Sequence, residues 1–522
     1  MGSEIRLTNK GSKLIAIVLV VLVVAAGLGY WLFAPNMASQ IVNKDTQQTS
    51  LLTSSGEIRT TSTLSVPTTG APEISLEYVL TIQNPASGII HVKCVVHNQQ
   101  TRMTLSRGEA GGGRQMPIAT NLTPEAAVIS TLGTRFLESL SLPIGGQTTG
   151  QFEYDVDLSP KASMYDLHWY LDGRFGVVEP EYLFFFPTTS SYDRYLSIQN
   201  ITIRFQIPDG WEVLTHWRNE GELYRANSTS EFIFGFLGFG RFDTVRRDIG
   251  GTNVAVASTG ISETQKEKVS KLVFTLYEYY TANVGRISES TYLPRDVYTV
   301  LFVPCPKGRS MLSYREAAYG YFTCSLTDEP GEAHHIFHEW NGNSGAFFGD
   351  WFLTEGLTSY YEYHALLKTG MWSVDQYHEG LIWQYDYYHD EIAGTANDVP
   401  LEPFRTDVDG LLYYRKGAVV GYLLNEAMSK VTNGEHDMDD LMKYLFEHWA
   451  TQKGDSNEWY DFAYHISGEE LLKAVNEVTG HEFGAFFGAY VFGTDRLPLS
   501  VQGRQLTIRY EELPAIPELE QG

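Results

Sequence analysis

Residues 332–341 read Glu332-Ala333-His334-His335-Ile336-Phe337-His338-Glu339-Trp340-Asn341, and residues 350–361 read Asp350-Trp351-Phe352-Leu353-Thr354-Glu355-Gly356-Leu357-Thr358-Ser359-Tyr360-Tyr361. On a helix His334 and His338 stand one turn apart and roughly 40° different in direction, so both imidazoles can meet one ion. A histidine pair at this spacing also arises on ordinary packed or surface helices. What favours a metal is the second segment, because zinc needs a third protein ligand and Glu355 supplies a carboxylate near the start of an amphipathic helix. The other role for an acid there is to complement the helix dipole. The expectation is that His334, His338 and Glu355 hold Zn2+.

Upstream of this centre, apolar residues recur with period two. Ile74, Leu76, Tyr78, Leu80 and Ile82 alternate with polar residues. Phe152, Tyr154, Val156 and Leu158 do the same, and so do Ile198, Ile201, Ile203, Phe205 and Ile207 with a change of phase near Asn200. That pattern predicts a β-rich region over 73–258. Beyond Ser262 the period becomes helical, with Val269, Leu272, Val273, Leu276 and Tyr280 on one face. A strand over Val297 to Val303 then precedes the histidine segment. Helices are expected over Leu357 to Leu367, Tyr414 to Met428, Asp437 to Trp449 and Ser467 to Val478, the last opening with Ser467 and Glu470 in capping-box spacing. One closing strand is expected over Val501 to Tyr510.

At the other end, Leu14 to Phe33 is an uninterrupted apolar run, long enough to cross a bilayer as a helix and longer than the apolar part of a usual signal peptide. Arg6, Lys10 and Lys13 precede it and only Lys44 follows closely, so residues 1–13 are expected in the cytoplasm and the folded part outside. Sequons at Asn121, Asn200 and Asn227 are compatible with that side. Residues 34–72 are rich in Ser, Thr, Gln and Asn and read as a flexible linker. With 38 basic against 63 acidic residues, the formal charge of −25 leaves no basic stripe for a phosphate backbone, which argues against nucleic acid as a partner. Cys94, Cys305 and Cys324 are too few for a disulfide scaffold. An oxidising compartment would allow Cys305 and Cys324 to pair, which the sequence does not decide.

The motifs resemble a known group. His334 to Asn341, followed by Asp350 to Tyr361, is similar to the core of the membrane alanyl aminopeptidase family of gluzincin metallopeptidases, and still more to the related glycyl aminopeptidases. Tyr414-Arg415-Lys416-Gly417-Ala418 resembles the families' Tyr-x-Lys-Gly segment, and Leu471 to Thr494 resembles their last catalytic-domain helices. Added to the transmembrane helix read from the apolar run and to the C-terminal strand and tail over 500–522, the resemblance implies an α+β chain with a β-rich sandwich-like domain and a thermolysin-like, mostly helical catalytic domain over 259–499. It implies zinc on His334, His338 and Glu355, a peptide or protein substrate, and Tyr414, with Tyr413 as its alternate, as hydrogen-bond donor to the oxyanion of the tetrahedral intermediate.

Three departures qualify what is carried over. The families place glutamate where this chain has His335, so the usual general base is absent, a loss that costs about 10² to 10⁴ in rate. Sixteen residues separate His338 from Glu355, fewer than is usual there. No Gly-x-Met-Glu-Asn motif precedes His334 to grip a free amino group. A neutral imidazole can itself accept a proton near neutral pH. Glu339, four residues on, would share its helical face and raise its basicity, so a His335 and Glu339 dyad is expected to stand in for the base. The alternative is a zinc-binding pseudopeptidase whose ectodomain binds peptides or proteins.

Overall fold

The computed structural model describes residues 74–97, 103–107, 117, 119–123, 128–131, 138–142, 149–159, 169–188, 198, 200–233, 235–289, 296–304, 319–324, 328–342, 345–450 and 465–519. The apolar run Leu14 to Phe33 and the linker lie outside them. Among the described residues no helix is long and apolar enough to cross a membrane.

The period-two segments become a mixed seven-stranded sheet. Ser75–Thr81 lies at its centre, antiparallel to Ile89–His97 and parallel to Ile201–Gln206, and Gly150–Asp157 pairs on the far side of Ile89–His97. Register places Tyr78 opposite Cys94 and Cys94 opposite Phe152, so the alternating residues share one buried face. Over that face pack Phe184, Phe186 and Phe232, each within ring contact of Tyr78. The Tyr78 hydroxyl donates to Phe185 O at 2.7 Å, tying the sheet to the strand Phe186–Thr188 of a four-stranded sheet. A second four-stranded sheet includes Phe175–Val178 and Leu237–Gly240. Cys94 is buried and free, whereas Cys324 is disulfide-bonded; Cys305 lies outside the described residues.

The hairpin of Asp243–Ile249 and Thr252–Ser258 falls inside the span 73–258 read as β-rich. It joins a later sheet instead: Thr252–Ser258 runs parallel to Val297–Phe302, which runs parallel to Gly320–Thr323. Parallel strands need a crossover, and helix α1, Glu263–Asn283, provides it. Its start is fixed by a capping box between Ser262 and Gln265. Beyond this sheet come α2, Glu329–Phe337; α3, Thr358–Lys368, entered through a π-helical turn Phe352–Leu357; α4, Val374–Tyr387; α5, Leu411–Val431; α6, Met438–Trp449; α7, Gly468–Thr479; and α8, Gly484–Tyr490. The sequence reading missed α4, although Ser373 and Gln376 form a capping box at its start. The closing segment is a hairpin, Leu499–Gln502 against Gln505–Ile508, and not one strand. Gly503, in the left-handed region at φ 64°, makes the turn within a continuous alternating pattern.

Candidate metal centre

Asp328 caps α2 by accepting the Gly331 N–H, and the helix carries Glu332, His334 and His335 before ending at Phe337 with His338 as its C-cap. Both flanks are pinned. The Tyr280 hydroxyl of α1 donates to Ala333 O at 3.1 Å, and the indole of buried Trp340 donates to Gly285 O at 2.8 Å. Asn341 then crosses to the next element, its amide donating to Leu353 O at 2.8 Å and to Thr358 Oγ1 at 3.1 Å.

Glu355 lies within the π-helical turn rather than at a helix N-terminus. Wide turns of this kind occur often at functional positions because they redirect one side chain without ending the helix. Gly356, the next residue, lies against Gly417 of α5 so closely that a β-carbon on Gly417 would meet Gly356 Cα at 2.5 Å. This contact brings Tyr414, one turn before Gly417, to the same place.

Glu355 Oε2 is 3.3 Å from His334 Nε2 and 3.6 Å from His338 Nε2. The three residues are buried, and one ligand atom from each lies within 4.8 Å of the others. The opposite nitrogens are committed elsewhere. His338 Nδ1 donates to Asn341 O at 2.7 Å, and His334 Nδ1 bonds Glu362 Oε2 at 2.8 Å. With each Nδ1 carrying the proton, each neutral ring turns an Nε2 lone pair toward the Glu355 carboxylate. Three such groups converging in a buried space could hold a cation, and two imidazoles, one carboxylate and orienting partners on each Nδ1 match the donor set and tautomers that zinc takes. With a second proton on each ring in place of a cation, attraction from His338 and hydrogen bonding from both rings would outweigh burial and hold the Glu355 carboxyl well below its usual range. Glu362 is shifted the other way, mainly by burial.

The expected dyad does not form. No hydrogen bond or ion pair joins His335 to Glu339, and His335 Nδ1 is buried without a hydrogen-bond partner. The reason is local: α2 stops at Phe337, and the Glu339 N–H turns back to Ile336 O, three residues earlier, so Glu339 leaves the helical face that the four-residue spacing assumes. Burial, with His334 and His338 nearby, pushes the His335 imidazole down to about 3. Tyr414 stacks over His334 with ring centroids 6.0 Å apart. Tyr413 is engaged elsewhere, its hydroxyl accepting the Arg405 N–H at 2.8 Å.

Glu362 was missed in the sequence. It lies seven residues after Glu355, two turns along nearly the same face, and that spacing is the signal that could have found it. A second group, His364 with Asp437 and Asp439, also has metal-like spacing. Its charges are already answered: Tyr279 and Tyr361 donate to Asp439 at 2.7 Å, and Lys368 pairs with Asp437 at 2.7 Å.

The chain shares its fold with an aminopeptidase N family protein from Idiomarina loihiensis, on which it superposes with a TM-score of 0.59 at 13% identity, covering 81% of this chain and 76% of that one. More distant likenesses include an M1 zinc metallopeptidase from Deinococcus radiodurans, TM-score 0.45, 14% identity, 82% and 95% covered, and leukotriene A4 hydrolase from Saccharomyces cerevisiae, TM-score 0.45, 11% identity, 82% and 69% covered. No protein-family model matches the sequence, and no curated protein matches it.

Proposed function

We propose that the protein is a zinc metallopeptidase, anchored by Leu14 to Phe33 with its folded part outside the cytoplasm, whose catalysis is altered by His335. The observation that carries this is the convergence of His334, His338 and Glu355 in a buried space, with both Nδ1 atoms already committed. The disulfide at Cys324 supports an oxidising compartment.

Zinc at such a site polarises a peptide carbonyl and makes water acidic enough to attack it near neutral pH. The chain's own residues then have distinct tasks. Glu362 and Asn341 hold the two imidazoles in the tautomer that presents Nε2. Tyr414, stacked over His334, is the candidate donor to negative charge developing on the carbonyl oxygen. His335 is the candidate proton acceptor, and without Glu339 behind it its basicity is low. That same observation favours a second reading, a zinc-retaining pseudopeptidase that binds peptides without cutting them efficiently.

Metal analysis of the full-length protein, followed by hydrolysis of a mixed peptide library by the wild type and a His335→Glu variant, tests both. One equivalent of zinc and chelator-sensitive cleavage by the wild type support the peptidase. Zinc with cleavage only by the variant supports the pseudopeptidase. A protein without bound zinc after reconstitution sinks both.

A further inference from the structure

Arg415 follows Tyr414 on α5 and is partly buried, yet among the described residues it pairs with no carboxylate, in a chain with 63 acidic residues. Its guanidinium carbon lies 3.9 Å from the ring centroid of Trp383 and 5.2 Å from that of Tyr387, both on α4. Nη1 donates to Gln384 Oε1 at 2.8 Å, whereas Nε is buried and has no hydrogen-bond partner. Two aromatic faces and one hydrogen bond therefore fix the plane of the fork, and among the described residues Nη2 donates to no partner. Guanidinium donors in a fixed plane suit bidentate recognition of a carboxylate. Trp383 is 53% exposed, so the platform reaches solvent.

The same group is connected to the metal centre. Gln384 Nε2 donates to the Tyr363 hydroxyl at 2.9 Å, and the residue before Tyr363, Glu362, holds His334 Nδ1. Arg415 is thus one residue from the candidate oxyanion donor, and its partner Gln384 bonds the neighbour of the residue that orients a candidate zinc ligand. A lone cation held in this way, beside a centre whose other charged groups are mostly acidic, is suited to an anionic part of what binds there.

We propose that Arg415, backed by Trp383 and held by Gln384, recognises a carboxylate on the peptide ligand, either the C-terminal carboxylate or an acidic side chain. The inference rests on the peptidase reading only for the peptide nature of the ligand. It explains how the chain can orient a peptide without a motif for its amino end.

The test is calorimetric binding of three peptides to zinc-loaded, full-length protein: trialanine as the free acid, trialanine amide, and Ala-Glu-Ala amide. Wild type is expected to bind at least one carboxylate-bearing peptide about tenfold or more tighter than trialanine amide, the scale of a charge-assisted hydrogen bond. Arg415→Met, which keeps the stem against Trp383, should reduce that ratio to below about threefold. Arg415→Lys should keep part of it, because the charge survives and the fork does not. Zinc content and circular dichroism are measured on each variant, and the Lys variant carries the test if the Met variant fails to fold. A preference for the free acid marks the C-terminus as the ligand group, and a preference for Ala-Glu-Ala amide marks the side chain. Equal binding of all three by the wild type, or an unchanged ratio in folded, zinc-loaded variants, overturns the proposal. Binding is read without turnover. Discrimination without cleavage would therefore sink the peptidase reading alone, and cleavage without discrimination would sink this one alone.

Discussion

His335 lies between two imidazoles whose Nε2 atoms face Glu355, and Glu339 does not stand behind it because α2 ends two residues earlier. Restoring a carboxylate there is expected to raise peptide hydrolysis by about 10² to 10⁴ over the wild type. Initial rates of the His335→Glu variant check this, and rates equal to or below those of the wild type would remove the missing base as the explanation for slow catalysis. Glu362 acts one bond further out. Its carboxylate fixes the His334 tautomer, so Glu362→Gln should weaken zinc binding by about 10- to 100-fold, read by competition with a chelating dye. An unchanged affinity would mean that α2 alone orients His334. The two ligand histidines could be found from their spacing, but Glu362 matters through a contact with a residue 28 positions away. The seven-residue spacing from Glu355 is the local signal of that contact, and its partner on α2 is set by packing.

Helices meet the site through very small contacts. The π-helical turn and α5 approach at Gly356 and Gly417, and this approach aligns Glu355 with Tyr414. A methyl group on Gly417 has no space unless one element moves, so Gly417→Ala is expected to destabilise the protein by about 1–3 kcal/mol and to weaken zinc binding as Glu355 shifts. Urea unfolding with and without zinc measures both effects. A variant within about 0.5 kcal/mol of wild type would show that the helices can part freely there. Helices α1, α6 and α7 were readable because apolar stripes and caps agree, and α5, which has no side-chain cap, from its apolar residues alone. Helix α4 was hidden because Tyr and Trp recur along it and only Tyr377, Leu381 and Gln384 are buried. The dyad failed for the opposite reason, since helical spacing was extended past a helix end that the sequence does not mark.

Across the molecule, distant segments join near the metal centre. Glu402, Asp350 and Gly468 meet where the loop before α5, the approach to the π-helical turn and the start of α7 come together. Glu402 Oε2 accepts the Gly468 N–H at 3.1 Å, and the imidazole of His465 is 3.1 Å from Asp350 Oδ1. Burial, reinforced by the negative Asp350, raises Glu402 to about 8, while the His465 hydrogen bond keeps Asp350 low. Glu402 is therefore protonated in the fold at a pH where the unfolded chain has lost that proton. Its contribution to stability is fully present below about pH 4.5 and is lost as pH rises through about 8. Glu402→Gln should flatten that decline, leaving the variant more stable than wild type at pH 9 by on the order of 2 kcal/mol relative to their difference at pH 5. Denaturant unfolding across this range tests it, and parallel curves would show that Glu402 ionises without consequence.

By itself the sequence determined which side chains could bind a metal, the change from β-rich to helical architecture near residue 260, and the replacement of the expected base by His335. These depend on residue identity and on periodicity along the chain, which are local properties. The tertiary structure decided that the three ligand groups converge, that Glu362 and the carbonyl of Asn341 set the two tautomers, and that Glu339 stands apart from His335. It also placed the Asp243 to Ser258 hairpin in the later sheet. Each of these turns on where a helix ends, how closely two backbones approach, or which strand edge finds a partner. Such distances are set by packing between segments far apart in the chain.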